Sequence, residues 1–244
     1  MNSMHSETAR GAGAPYWSIA GLWLGMRYAL PLLPGSAVFG AAFGTVAAQK
    51  GLSLTDAALM SAFVFAGASQ LVAMEIWKDP LTFGTIATLA LVTGVVNMRM
   101  LLMGASLRPW LGPLPAAQVY PVLLMNTDAS WLISIRHRAE GGSDASVLLG
   151  SSIALWIIWV PVTMLGYVAG ALIADPRRFG VDLILPMFFV AMLVPLWRGP
   201  RHAVPWAVAG FVALLVQALV PGYWFMIAGS LSGAIAGGFI DERR

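Results

Sequence analysis

A chain of 244 residues that is 59% hydrophobic and 10% charged, with mean hydropathy +0.78, carries less than half the roughly 25% charge of a soluble domain. That composition excludes a soluble globular enzyme and predicts an integral membrane protein. Cysteine is absent, which excludes disulfides and thiolate metal sites, and the net charge of +3 comes from dispersed Lys and Arg with no basic, aromatic-interleaved cluster to suit nucleic acid.

Residues 1–15 are polar and Gly/Ala-rich and read as a disordered tail, not as a cleavable signal peptide. Tyr16–Tyr28, with Trp17, Trp23 and Arg27, is amphipathic and either lies at the membrane interface or leads into the first span. Charge-free runs then follow: Tyr28–Gln49 (22 residues), Ala57–Met74 (18), Pro80–Met98 (19), Pro109–Thr127 (19), Ala145–Ala174 (30) and Ala203–Ile240 (38). A helical crossing needs roughly 20 apolar residues, and nothing alternates as barrel strands would. The spans are expected at 29–49, 56–77, 81–104, 113–135, 146–173 and 181–197. The fifth is long enough to tilt or to break at Pro161. The last run is too long for one helix, and Pro221-Gly222 splits it into a hairpin. The expected fold is all-α, a polytopic transmembrane bundle of seven or eight hydrophobic segments over residues 16–240, some broken at Gly or Pro, with 241–244 a short tail.

With a cytoplasmic N-terminus and eight crossings, nine Lys/Arg lie inside and four outside, leaving Arg99 in the membrane. The positive-inside rule favours that orientation.

The polar interruptions carry the functional signal. Pro31, Pro34, Gly35 and Ser36 favour a kink or an unwound turn in the first span; freed backbone in a membrane needs protein or a water-filled cavity to receive it. Simple kinking with close glycine packing is the alternative. Phe65-Ala66-Gly67-Ala68-Ser69-Gln70 places small and polar residues inside an apolar run, where a buried Gln70 amide needs partners that lipid cannot supply. It points to a helix that is broken or tightly packed around something polar. Asn97 and Arg99 follow in the third span. Arg99 either snorkels or faces the interior, but the short Asn97 amide cannot snorkel. Asp128 is the one carboxylate within its apolar run and a functional candidate by default; a structural pairing with Arg99 is the alternative. Asp182 opens the sixth span, where an aspartate is often a cap. Glu75 and Lys78 read as an interfacial pair. His5, His137 and His202 read as solvated tail or loop residues and not as metal ligands. Gly40 with Gly44 and Gly166 with Gly170 are packing signals. No nucleophile–base pair, zincin motif or nucleotide-binding loop is present, so neither an enzyme nor a cofactor is expected.

Taken together, Gly35 through Phe39-Gly40 to Phe43-Gly44, the Phe65–Gln70 run, Val96-Asn97-Met98-Arg99 followed by Gly104-Ala105-Ser106-Leu107, and Asp182 with Pro186 and Phe188 resemble the AzlC family. These are the large subunits of two-component branched-chain amino acid exporters. The resemblance runs from about residue 20 to 240. It implies export of hydrophobic amino acids such as valine, leucine, isoleucine or methionine across a bacterial cytoplasmic membrane, with a small AzlD-like membrane subunit as partner. Two positions depart from the family pattern: Met100, where many members carry histidine, and Ala129, where an Asp-Glu pair is usual.

The expected mechanism is secondary export driven by the proton gradient. Backbone near Gly35 and Gly67–Gln70 would donate to the substrate carboxylate, as broken half-helices do in other transporters. Ser69, Gln70 and Asn97 would orient the substrate. Asp128, with Asp182, would bind the ammonium or carry the proton, and Arg99 would hold Asp128 or assist with the carboxylate. A non-transporting scaffold or regulatory subunit, or a passive channel, is the competing expectation.

Overall fold

The computed structural model describes residues 16–77, 81–172, 190, 199–200, 203–221 and 224–241. Among them the regular structure is helical: α1 (Ile19–Ala29), a 3₁₀ turn (Leu30–Leu32), α2 (Leu33–Gln49), α3 (Leu54–Phe63), α4 (Gly67–Ile76), α5 (Phe83–Leu111), α6 (Ala116–Leu124), α7 (Asp128–Ala139), α8 (Ser146–Leu172), α9 (Ala203–Leu219) and α10 (Trp224–Asp241). Three stretches are long and apolar enough to cross a membrane: Ile19–Gln49, Phe83–Leu111 and Ser146–Leu172. The expected sixth span, apart from residue 190, and Asp182 lie outside the described residues, as do the 1–15 tail and Lys78 of the expected Glu75–Lys78 pair.

Tyr16–Tyr28 leads into the first span, which begins ten residues before the expected 29. Pro31 and Pro34 do not unwind it. Each sits in the first two positions of its element, where the missing N–H has no intrahelical partner to lose, so the helix tightens into one 3₁₀ turn and continues. Pro161 likewise lies inside α8 without ending it. The third span runs on through Arg108 and Pro109 to Leu111, beyond the expected 104. The expected span at 113–135 is interrupted at residues 125–127, between α6 and α7. The expected hairpin is present. In α9 and α10, Gly229 meets Ala213 while Gly233 meets Ala209 and Pro205, an antiparallel pairing.

The central contact joins α1–α2 to α8. A Cβ built on Gly25 would lie 2.2 Å from Val147 O, on Gly44 2.0 Å from Thr163 O, on Gly150 2.0 Å from Leu22 O, and on Gly166 2.2 Å from Ala41 O. Residue numbers rise together on both sides, so the two long helices run parallel, backbone against backbone. Only glycine permits that approach. Thr45 adds a hydroxyl bond across it to Gly166 O (3.0 Å). Phe39, Phe43, Leu71, Met74, Leu155 and Trp159 are buried around this seam.

One end of the pair is clasped. Asp144, buried at 6% exposure, accepts hydrogen bonds from the Ser18 hydroxyl and from Ser146 N (2.9 Å). Ser18 N donates to Ser146 Oγ (2.8 Å), Ala145 N to Tyr16 O (2.8 Å), and Ser18 Oγ caps α1 by accepting from Gly21 N.

Gly166→Ala or Gly44→Ala should destabilise the protein by about 1–3 kcal/mol through overpacking, read as a lower melting temperature in detergent. Gly94→Ala on α5, with nothing within 4 Å of the new Cβ, should stay neutral or gain up to about 1 kcal/mol from helix propensity.

Candidate functional site

The break between α3 and α4 is built by packing. After Phe63 the chain turns at Phe65, whose φ is +44°, a left-handed conformation that costs a bulky residue about 1–3 kcal/mol. Nearby Gly67 would take such a turn more cheaply, but its missing side chain is needed elsewhere. A Cβ there would lie 2.5 Å from Trp159 Cη2 and 2.7 Å from Phe39 Cε1. Gly67 therefore supplies space and Phe65 supplies the turn. The Phe65 ring is held edge-on against Trp159, with centroids 6.3 Å apart.

Of the carbonyls freed near the end of α3, Ala62 O accepts from Trp156 Nε1 (3.0 Å). The start of α4 has no equivalent. Its N-cap is Ala66, whose side chain makes no capping hydrogen bond.

The second break, at residues 125–127, is finished differently. Thr127 caps α7 in a reciprocal box with Ser130, and Ser130 Oγ also donates to Asn126 Oδ1 (3.3 Å). Asp128 is the first residue of α7, where the helix dipole favours negative charge. Arg99 reaches it from α5 with an Nη2–Oδ2 distance of 3.1 Å, each side chain about one third exposed.

Both helix starts open onto one cavity of about 310 Å³, at the small end of the ~300–1,000 Å³ range of ligand pockets. Leu32, Phe39, Phe65, Met100, Leu155 and Trp159 form its apolar walls, and Gly35, Gly67, Thr127, Arg99 and Asp128 also border it. Gly35 is open to the space, with nothing within 4 Å of a built Cβ. The arrangement offers two opposite charges and free helix donors around an apolar volume.

Of the residues singled out in the sequence, Gly35, Gly67, Arg99 and Asp128 border this cavity. Ser69, Gln70 and Asn97 do not border the cavity; they lie behind its wall. Ser69 Oγ donates to Ala66 O (2.9 Å) and accepts from Asn97 Nδ2 (3.1 Å), tying α4 to α5. Gln70 is fully buried and makes a long 3.5 Å bond to Ser61 Oγ, which bonds Thr163 Oγ1 at 3.1 Å, linking α4, α3 and α8. These amides and hydroxyls fasten the broken helix. Sequence reasoning missed Trp159 and the capping role of Thr127. Thr127 with Ser130 after a polar pair was a readable cap signal, whereas one tryptophan among ten carries no local mark.

A family model described as AzlC protein matches residues 31–173, more than half of the chain and all of the cavity-lining residues. The chain belongs to the AzlC family. It is also 25% identical over 221 residues to an "uncharacterized membrane protein" of Archaeoglobus fulgidus, an alignment covering 89% of this chain and 94% of the relative. No solved structure matches it.

In this AzlC-family membrane protein the cap and the ion pair should separate by their effect on stability. Thr127→Ala should cost about 1 kcal/mol, or about 2–4 °C in melting temperature for a chain of this size. Arg99→Gln should cost only about 0–1 kcal/mol, because solvent screens a partly exposed pair.

Proposed function

We propose that this chain is the membrane-embedded large subunit of a secondary exporter of hydrophobic, branched-chain-type amino acids, working with a small AzlD-like subunit in a bacterial cytoplasmic membrane. In this reading α3 with α4, and α6 with α7, are two broken segments between the long spans, and the N-terminus is cytoplasmic. The observation that carries it is the cavity: opposite charges from Arg99 and Asp128, a helix start without a cap, and aliphatic and aromatic walls. A zwitterion with an apolar side chain needs that combination. A cavity of about 310 Å³ suits one amino acid and not a peptide.

Coupling in this reading rests on Asp128, the one carboxylate at the cavity among the described residues. Asp128 holds either the substrate ammonium or a proton. Alternation between the two ligands gives exchange of substrate against protons without nucleotide hydrolysis. The welded α1–α2/α8 pair serves as the fixed frame. Helix α5, which buries four of its 29 residues, is free to move against it and to meet the partner subunit.

Reconstituted with its partner, the wild type should accumulate labelled leucine and methionine in proteoliposomes with an acidic lumen. Asp128→Asn should lower that flux at least about tenfold, equivalent to ~1.4 kcal/mol. Flux that only equilibrates would mean a channel, and no flux would mean a scaffold.

A further inference from the structure

The contacts that hold the two broken helices also fix the direction of each half. The parallel frame of α1–α2 and α8 has two ends. One is the clasp of Tyr16, Ser18 and Asp144; at the other the Tyr167 hydroxyl donates to Leu52 O (2.7 Å). Helix α3 begins at the Leu52 end. Its Ser61 Oγ donates to Thr163 Oγ1 (3.1 Å) and its Ala62 O accepts from Trp156 Nε1 (3.0 Å), so α3 runs along α8 towards the middle of the frame. Past the turn, Gly67 meets Trp159 and Phe39. Helix α4 then goes back. Gln70 lies beside Ser61, Ser69 accepts from Asn97, and Val72 and Ile76 cluster with Val92. Numbers rise in α4 as they fall in α5, so these two are antiparallel. Helix α5 ends at the clasp, where Trp110 Nε1 donates to Ser143 O (3.4 Å). Helix α4 therefore finishes at the Leu52 end, where α3 began.

Helices α6 and α7 repeat the pattern from the other end. Near the start of α6, Gln118 accepts from Trp17 Nε1 (2.8 Å) at the clasp end. The chain then reaches the cavity, which Thr127 and Asp128 border. Helix α7 returns alongside α5 in the same direction. Asp128 pairs with Arg99, Trp131 Nε1 donates to Ser106 Oγ (2.8 Å), and the His137 ring lies 6.4 Å from that of Trp110. It finishes at the clasp. The four arms have 10, 10, 9 and 12 residues. At about 1.5 Å per residue, each covers roughly half of the ~30 Å hydrocarbon core.

We propose that α3–α4 and α6–α7 are re-entrant hairpins, which enter the membrane from opposite faces, meet tip to tip at the cavity and return without crossing. Residues 16–77 and 81–172 then cross at the three long spans alone. They form two inverted units, each a span followed by a hairpin, with α8 closing the set. Non-helical backbone at membrane depth is confined to the two tips, where protein and cavity receive it, and discontinuous helices of inverted units build sites of this kind. The clasp face carries Arg108, Arg136 and Arg138, against Lys50 at the other end, which keeps the N-terminal side cytoplasmic. Given the carrier reading, on which this last step rests, each hairpin is the gate between the cavity and its own face. Helices α6–α7 close the cytoplasmic side and α3–α4 the outer side.

The chain has no cysteine, so single-cysteine variants of the full protein report one position each. Exposed residues flank both hairpins: Thr55 and Leu81 for α3–α4, Pro113 and Glu140 for α6–α7. A membrane-impermeant maleimide, applied to intact cells and to inverted membrane vesicles, should label Thr55→Cys and Leu81→Cys from one face. It should label Pro113→Cys and Glu140→Cys from the other. Labelling of the two members of either pair from opposite faces makes that hairpin a crossing and overturns the proposal. Gly35→Cys, whose side chain has open space in the cavity, should be labelled from both faces; labelling from one face alone overturns the paired gates. A protein that shows the paired pattern yet moves no leucine would overturn the carrier reading, and the gating with it, while the topology stands.

Discussion

Backbone contact between α1–α2 and α8 governs the rest of the molecule. Lipid gives apolar helices little reason to associate, so close packing has to supply the attraction. Gly25, Gly44, Gly150 and Gly166 bring two helix backbones to a distance at which a single methyl group would overlap carbonyl oxygens. The seam fixes the rotation of α8 and so aims Trp159 at Phe39 and Gly67. With that ring in place, the chain near Gly67 has no room for a side chain, and the turn passes to Phe65.

The two breaks meet one constraint in opposite ways. Freed backbone groups in a membrane need partners. At α7 the protein provides its own through Thr127 and Ser130. At α4 it provides carbonyl partners on one side, as with Trp156 at Ala62 O, and leaves the donors on the other. Asn97, Ser69, Gln70, Ser61 and Thr163 tie the halves of the broken helix to α5 and α8 without entering the cavity. A polar set inside an apolar run therefore divides into fasteners and lining.

That division explains what was legible in the sequence. Composition and charge-free runs give the helical membrane fold directly, because every crossing demands the same length and polarity. The Phe65–Gln70 run marks a break because small and polar residues interrupt an otherwise uniform span. Asp128 and Arg99 are visible as charges that lipid does not tolerate. Which polar residues face the cavity is not visible, because Ser69 and Gln70 are neighbours in a half-helix whose rotation is set by α8, about ninety residues away. The prolines mislead for a related reason: Pro31 and Pro34 look like breakers, yet they fall at positions where a helix has no bond to lose. Trp159 is silent, since its importance comes from what it touches.

The clasp at Asp144 has a consequence for biogenesis. Ser18 and Asp144 are 126 residues apart, and the glycine seam joins helices separated by the five helices α3 to α7. The first span therefore enters the bilayer long before its partner is synthesised, with its glycine groove facing lipid. Assembly of this protein is consequently a late, non-local event of the kind that slows folding. The buried carboxylate clasp forms only once residues 143–146 have emerged, and its closure marks the point at which the first helix stops being a lone insertion and becomes part of the frame.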